Sequence, residues 1–145
     1  SQYPLATKTI NVHTGEWGPL RNPGAIEATM GAVERSVKVN MVGHMPVVPK
    51  QPNIEDVADF CATNEDNRMS ILKLLNSENV NLYVSKRFKE VYHFVTIDAS
   101  DLYIQEFHAH GTPRRTALIK NAGKLAIYHD QLFQKLLCDS VRVEP

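Results

Sequence analysis

The chain has 145 residues, 43% hydrophobic and 22% charged, and its 16 Lys and Arg are balanced by 16 Asp and Glu. That length can bury one sizeable core. A net charge of zero excludes a protein whose whole surface coats nucleic acid, so any anion binding must come from a local patch. No apolar stretch approaches the ~20 residues of a membrane-spanning helix.

Residues 1–23 carry Pro4, Pro19 and Pro23 with Gly15 and Gly18 and no sustained period, and read as an extended arm. Trp17, Tyr3, Leu5 and Ile10 give it apolar surface with which to dock on a protein partner. From Ala25 to about Val37, the set Ile26, Met30, Val33 and Val37 recurs at helical spacing. "GHMPVVPKQP", 43–52, has three prolines in ten residues and reads as a linker. Asn53 then reads as an N-cap, with Ile54, Val57, Ala58 and Cys61 on one face of a short helix. After "TNEDN", the run "RMSILKLLNSE" predicts a second short helix.

Beyond Asn79 the period drops to two. "NVNLYVS", "VYHFVTIDA" and "DLYIQEFHA" predict three strands joined by hairpins, with Tyr92, Phe94, Tyr103 and Phe107 on one face. Thr112 reads as the N-cap and Pro113 as the first residue of a long helix reaching about Leu137, with Gly123 as its soft point. Its stripe is Leu118, Ala122, Leu125, Leu132 and Leu136. The expected fold is therefore α+β: an α-β-β-β-α two-layer domain, with an antiparallel three-stranded sheet, two helices on one face, and an N-terminal arm and helix. Residues 1–52 hold the arm, helix and linker, and 53–145 the α+β domain.

This order resembles the double-stranded RNA-binding domain over about residues 67–138. "ILKLLNSENVNLYV" is similar to that family's first helix and strand, and "HFVTID" to its second strand. "GTPRRTALIKNAGKLAI" is similar to its Gly-x-Ser-Lys-Lys-x-Ala-Lys turn and second helix, with Gly111, the pair Arg114 and Arg115, and Ala117 at matching positions. The resemblance implies a non-catalytic subunit that grips structured or double-stranded RNA by its phosphates within a ribonucleoprotein assembly. Thr112, Arg114, Arg115, Lys120 and Lys124 would make the contact, extended by Lys73, Lys86, Arg87 and Lys89. Pro113 and Leu118 depart from the family turn, and the first strand connection, "SKRFKE", lacks its Gly-Pro-x-His loop. An alternative is the same fold used only for protein–protein assembly.

A remoter alternative is a small metal-dependent nuclease using His108 and His110, which alternation points to the same side of a strand. Asp98, Asp101, Glu106 and His129 are further ligand candidates, none at diagnostic spacing. Cys61 and Cys138 lie in apolar runs outside any Cys/His ligand spacing and read as buried free thiols, which places the chain in a reducing, intracellular compartment. No motif calls for a cofactor.

Overall fold

The computed structural model describes residues 8–15, 17–85, 93–105 and 116–145. The chain enters through strand β1 (Thr9–His13), followed by a four-residue helix α1 (Gly18–Arg21), helix α2 (Pro23–Glu34) and strand β2 (Lys38–His44). Helices α3 (Ile54–Cys61) and α4 (Glu65–Leu75) lead to strand β3 (Val80–Ser85). Strands β4 (His93–Ile97), β5 (Asp101–Gln105) and β6 (Thr116–Ile119) follow, then helix α5 (Lys124–Cys138) and strand β7 (Ser140–Arg142).

Among the described residues these strands form one seven-stranded mixed sheet, ordered β6-β5-β4-β1-β2-β3-β7. Strands β1, β2 and β3 are parallel, and β4 and β7 join them antiparallel on either side. The expected three-stranded antiparallel sheet with two helices on one face is not the fold. Strands β3, β4 and β5 exist as read, but β1 and β2 separate β3 from β4, so no meander joins them. Residues 9–13 are strand rather than extended arm: Ile10 and Val12 alternate with Thr9, Asn11 and His13, a run of five too short to stand out among the surrounding prolines and glycines.

Two successive parallel crossovers, β1 to β2 and β2 to β3, step in the same direction across the sheet. Right-handed connections then put their helices on one face. Ile10, Val12, Val39, Met41, Leu82, Val84, Val95 and Ile97 share the core of that face with Ile26, Val33, Val57, Cys61, Ile71 and Leu74. Asn22 caps α2 by accepting the Gly24 and Ala25 N–H groups. Asn53 caps α3 in a reciprocal box with Asp56, as its sequence predicts. Helix α5 runs alone over the opposite face, where Phe133 and Leu136 meet Val42, Phe94 and Leu102.

The long helix expected from Pro113 begins instead at Lys124, after the strand Thr116–Ile119. Asn121 and Gly123, both at positive φ, turn the chain between them. The aromatic row is also corrected. Val95 pairs with Tyr103 and Phe94 with Ile104 across β4–β5, so Phe94 lies under α5 while Tyr103 faces the other side.

On the α5 face a polar chain crosses five strands. The Arg142 guanidinium donates to Asn81, Asn81 to Asn40 at 3.0 Å, Asn40 to Asn11 at 2.9 Å, and Asn11 to the Asp130 carboxylate at 3.2 Å. The Thr96 hydroxyl donates to the same carboxylate oxygen. Strand register explains the row, since Asn11 pairs with Asn40 and Asn40 with Asn81. A guanidinium only donates and a carboxylate only accepts, so the amides between them all turn one way. Removing an inner rung strands a half-buried donor, whereas an outer rung can turn to water. Asn11→Ala is therefore expected to lower stability by about 1–3 kcal/mol and Asn81→Ala by less, measured by urea unfolding. Equal costs would mean that the row does not act as a connected chain.

Burial separates the two thiols, against the expectation that both are buried. Cys61 is buried and Cys138 is exposed. Desolvation pushes the Cys61 thiol up to about 11, against a smaller opposing pull from Arg21. A pKa raised by folding contributes stability below the unfolded value and loses it as pH climbs through the folded one. Cys61 thus adds alkaline sensitivity between about pH 9 and 11. A thiol reagent near neutral pH is expected to label Cys138 quickly and Cys61 only after denaturation. Comparable labelling of both in the folded chain would contradict this burial.

Candidate functional site

The C-terminal ends of parallel strands are where side chains can converge beyond the sheet. Strand β1 ends on His13 and β2 on His44, while antiparallel β4 begins at the same edge with His93. The His13 ring centroid lies 5.6 Å from that of His44 and 6.4 Å from that of His93, both edge-on. Phe94 packs 5.5 Å from His13 and carries His129 of α5 on its other side at 5.1 Å. His13 and His44 are buried, and His93 is partly open.

His93 is held at both nitrogens. The Gly15 N–H donates to Nε2 at 3.1 Å, and Nδ1 lies 3.1 Å from Gln105 Oε1 across the β4–β5 pair. The loop bearing Gly15 is pinned by Trp17, which sits in the left-handed region at φ 59° with its indole fully buried. The indole N–H donates to the His44 carbonyl at 3.0 Å. Its ring occupies the space above Gly43, where a Cβ would lie 2.4 Å from the ring carbons.

His93 and Gln105 form part of the wall of a cleft of about 790 Å³ on the side of the sheet opposite α5. Val95, Ile97, Tyr103 and Leu118 make its floor from β4, β5 and β6, and His13 and Thr14 close one end. Arg21 and the first turn of α2, Pro23 to Ala25, line it as well. The Asn22 side chain already accepts the Gly24 and Ala25 N–H groups, so the helix contributes its macrodipole rather than open amides, and with the Arg21 guanidinium this gives the wall a positive bias. The Arg21 guanidinium lies over the Phe60 ring at 5.2 Å, so its position is set by packing. Among the described residues no group of three or more His, Cys, Asp or Glu is placed to hold a metal ion.

Of the expected RNA patch only Lys73, Lys120 and Lys124 fall among the described residues. Arg114 and Arg115 were to crown the last helix, but four residues of strand stand between them and its start at Lys124. Thr112, Arg114, Arg115, Lys86, Arg87 and Lys89 lie outside the described residues, as do His108 and His110. Lys73 is on α4 and Lys124 on α5, with the sheet between them, and Lys120 is in the turn after β6. His13, His44, His93, Gln105 and Arg21 were not singled out from sequence. The available signal was a histidine closing each of two apolar runs, "INVH" and "VNMVGH".

No protein-family model matches the chain, and no curated protein matches it. Solved structures share its fold. Nuc, a phospholipase D family member from Salmonella typhimurium, superposes with a TM-score of 0.71 at 13% identity, over 99% of this chain and 86% of its own. TrmBL2, an archaeal chromatin protein described by a novel mode of DNA binding, gives 0.66 at 10% identity, over 97% of this chain and 46% of its own. Phosphatidylserine synthase from Haemophilus influenzae gives 0.60 at 11% identity, over 98% of this chain and 35% of its own. The non-catalytic RNA-binding subunit is therefore overturned along with the fold it was drawn from, because the architecture observed is shared with Nuc and with phosphatidylserine synthase. The same correction removes the expectation that the chain is not an enzyme.

Proposed function

We propose that the chain is an enzyme acting on phosphodiesters, with its reacting centre at His93 in the cleft between α2 and strands β4–β6. The observation that carries this reading is the convergence of His13, His44 and His93 from three strand ends, with His13 and His93 lining that cleft. Imidazole gives and takes protons near neutral pH, the requirement for moving a proton from water to a leaving alcohol. The α2 dipole and Arg21 offer the anionic diester a positively biased wall. The names of the structural neighbours support the substrate class. One is named as a phospholipase D family member, one as a phosphatidylserine synthase and one by its binding to DNA, and the phosphodiester is the group that phospholipids and DNA share.

In this reading, the phosphate sits against the first turn of α2. A water displaces the Gly15 N–H that holds Nε2 in the resting structure, and His93 Nε2 takes a proton from that water as its oxygen bonds to phosphorus. The bond from phosphorus to the alcohol oxygen breaks, and the imidazolium returns its proton to that oxygen. The products are a phosphomonoester and an alcohol. His13 and His44 lie behind His93 and supply a polarisable lining.

Turnover of bis(4-nitrophenyl) phosphate by the full chain tests the reaction, with single-stranded DNA and phosphatidylcholine vesicles as separate arms that identify the natural diester. Release of nitrophenol that persists in EDTA is the expected result. Loss of activity in EDTA, with restoration by a divalent cation, would instead favour the metal-dependent nuclease centred on His108 and His110. Absence of turnover on all three substrates would overturn the reading.

A further inference from the structure

We infer that Gln105 and the Gly15 backbone amide are positioning groups that fix the resting His93 as one tautomer, with the proton on Nδ1 and an unprotonated Nε2 that accepts from Gly15. The inference rests on the reading of His93 as the proton-transfer residue, and it adds two groups that act through that ring. It follows from which atoms are able to change roles. A backbone N–H can only donate, so a nitrogen 3.1 Å from the Gly15 amide must accept. Nε2 then carries no proton, and the proton of the neutral ring is on Nδ1. That proton needs an acceptor, and Gln105 presents Oε1 at 3.1 Å.

The side-chain amide of Gln105 could in principle turn its NH2 toward His93. Doing so would set two donors against each other at Nδ1, or force the ring proton onto Nε2 and set it against Gly15. The Gly15 amide, which cannot turn over, therefore decides the orientation of the whole three-member chain. Both ends are anchored. Gln105 pairs directly with His93 in the β4–β5 register. Gly15 stands two residues before the buried Trp17, and a Cβ on it would meet His93 Nε2 at 2.8 Å. Gly15 thus brings its N–H to the imidazole at a distance that a side chain would obstruct. Because Gln105 is neutral, it orients the ring without adding a charge. A carboxylate there would orient the ring equally while also stabilising the imidazolium.

Nitrogen NMR of the full chain with 15N-labelled histidine tests this, with the His93 signals assigned by their loss in His93→Ala. The wild type is expected to show a protonated Nδ1 and an unprotonated Nε2. Gln105→Glu keeps an acceptor oxygen and is expected to keep that signature. Gln105→Leu is expected to mix the tautomers and to lower kcat at least ~10-fold with KM changed less than twofold, while circular dichroism stays that of the wild type. A wild-type ring protonated on Nε2, or a Gln105→Leu ring with unchanged shifts, would overturn the inference. If Gln105→Leu fails to fold, the wild-type and Gln105→Glu spectra still decide. The tautomer is read without turnover, so a chain with the expected ring signature and no diesterase activity would sink the proposed function and leave the tautomer lock standing.

Discussion

His93→Ala is expected to lower kcat/KM for a phosphodiester by ~10²–10⁴-fold, the range over which one positioned acid–base group contributes. Most of the loss should appear in kcat. The anion-facing wall of the cleft comes from α2 and Arg21, which the substitution does not touch, so KM should move little. The partial exposure of His93 makes the variant clean. Its side chain is not part of either buried apolar cluster, and the fold should survive its removal. His13→Ala would be harder to read, because that ring is buried against Phe94 and its loss would open a cavity. Turnover unchanged by His93→Ala but abolished by His110→Ala would move the reacting centre to the His-x-His segment.

Charge at the cleft offers a second handle on the same site. Arg21→Gln removes the guanidinium but leaves the Asn22 cap and the α2 backbone in place. Binding of an anionic substrate should weaken with little change in kcat, the reverse of the His93 pattern. Substrate inhibition or KM curves for the two variants side by side measure this. A fall in kcat alone for Arg21→Gln would mean that the phosphate is held elsewhere.

What the sequence made legible was local. Asn53 announces its cap, "RMSILKLL" its helix, and the alternation after Asn79 its strands, because each signal depends on neighbours within one or two turns. The sheet depends on long-range order that alternation does not encode. Strands β3 and β4 are close in sequence and two strands apart in space. One long-range signal was present and went unread. "INV", "VNM" and "VNL" place an asparagine between apolar residues in three separate segments, at positions 11, 40 and 81. Those asparagines are the neighbours that the register brings side by side, so the recurring triplet marks three adjacent strands. The basic pair Arg114–Arg115 drew attention as a helix start because Pro113 and Thr112 are good capping residues. A strand of four residues was short enough to be absorbed into the helical period that follows it. The histidines of the site escaped because each stands alone in sequence and gains meaning only where strand ends meet.

Trp17 carries the largest stability effect expected in the molecule, and it joins the core to the site. Trp17→Ala empties a fully buried indole volume and removes the donor to the His44 carbonyl, at a cost of about 3–5 kcal/mol. A domain of this kind has about 5–15 kcal/mol in all, so the variant should unfold at markedly lower urea. Gly43→Ala attacks the same contact from the other side. Its Cβ would fall 2.4 Å from the indole carbons, and a planar ring locked by its N–H cannot yield by turning a rotamer. Overpacking of that kind costs about 1–3 kcal/mol or more. The pair should couple strongly: with the indole gone the extra methyl has room, so Gly43→Ala in the Trp17→Ala background should be near neutral. Urea unfolding of the wild type, both single variants and the double variant gives the coupling directly. Additive costs would mean that Gly43 is constrained by something other than the ring. Both single variants should also loosen the Gly15–His93 contact, because Trp17 anchors the loop that carries Gly15. A folded Gly43→Ala protein should therefore lose diesterase activity in proportion to how far the His93 tautomer signature has mixed.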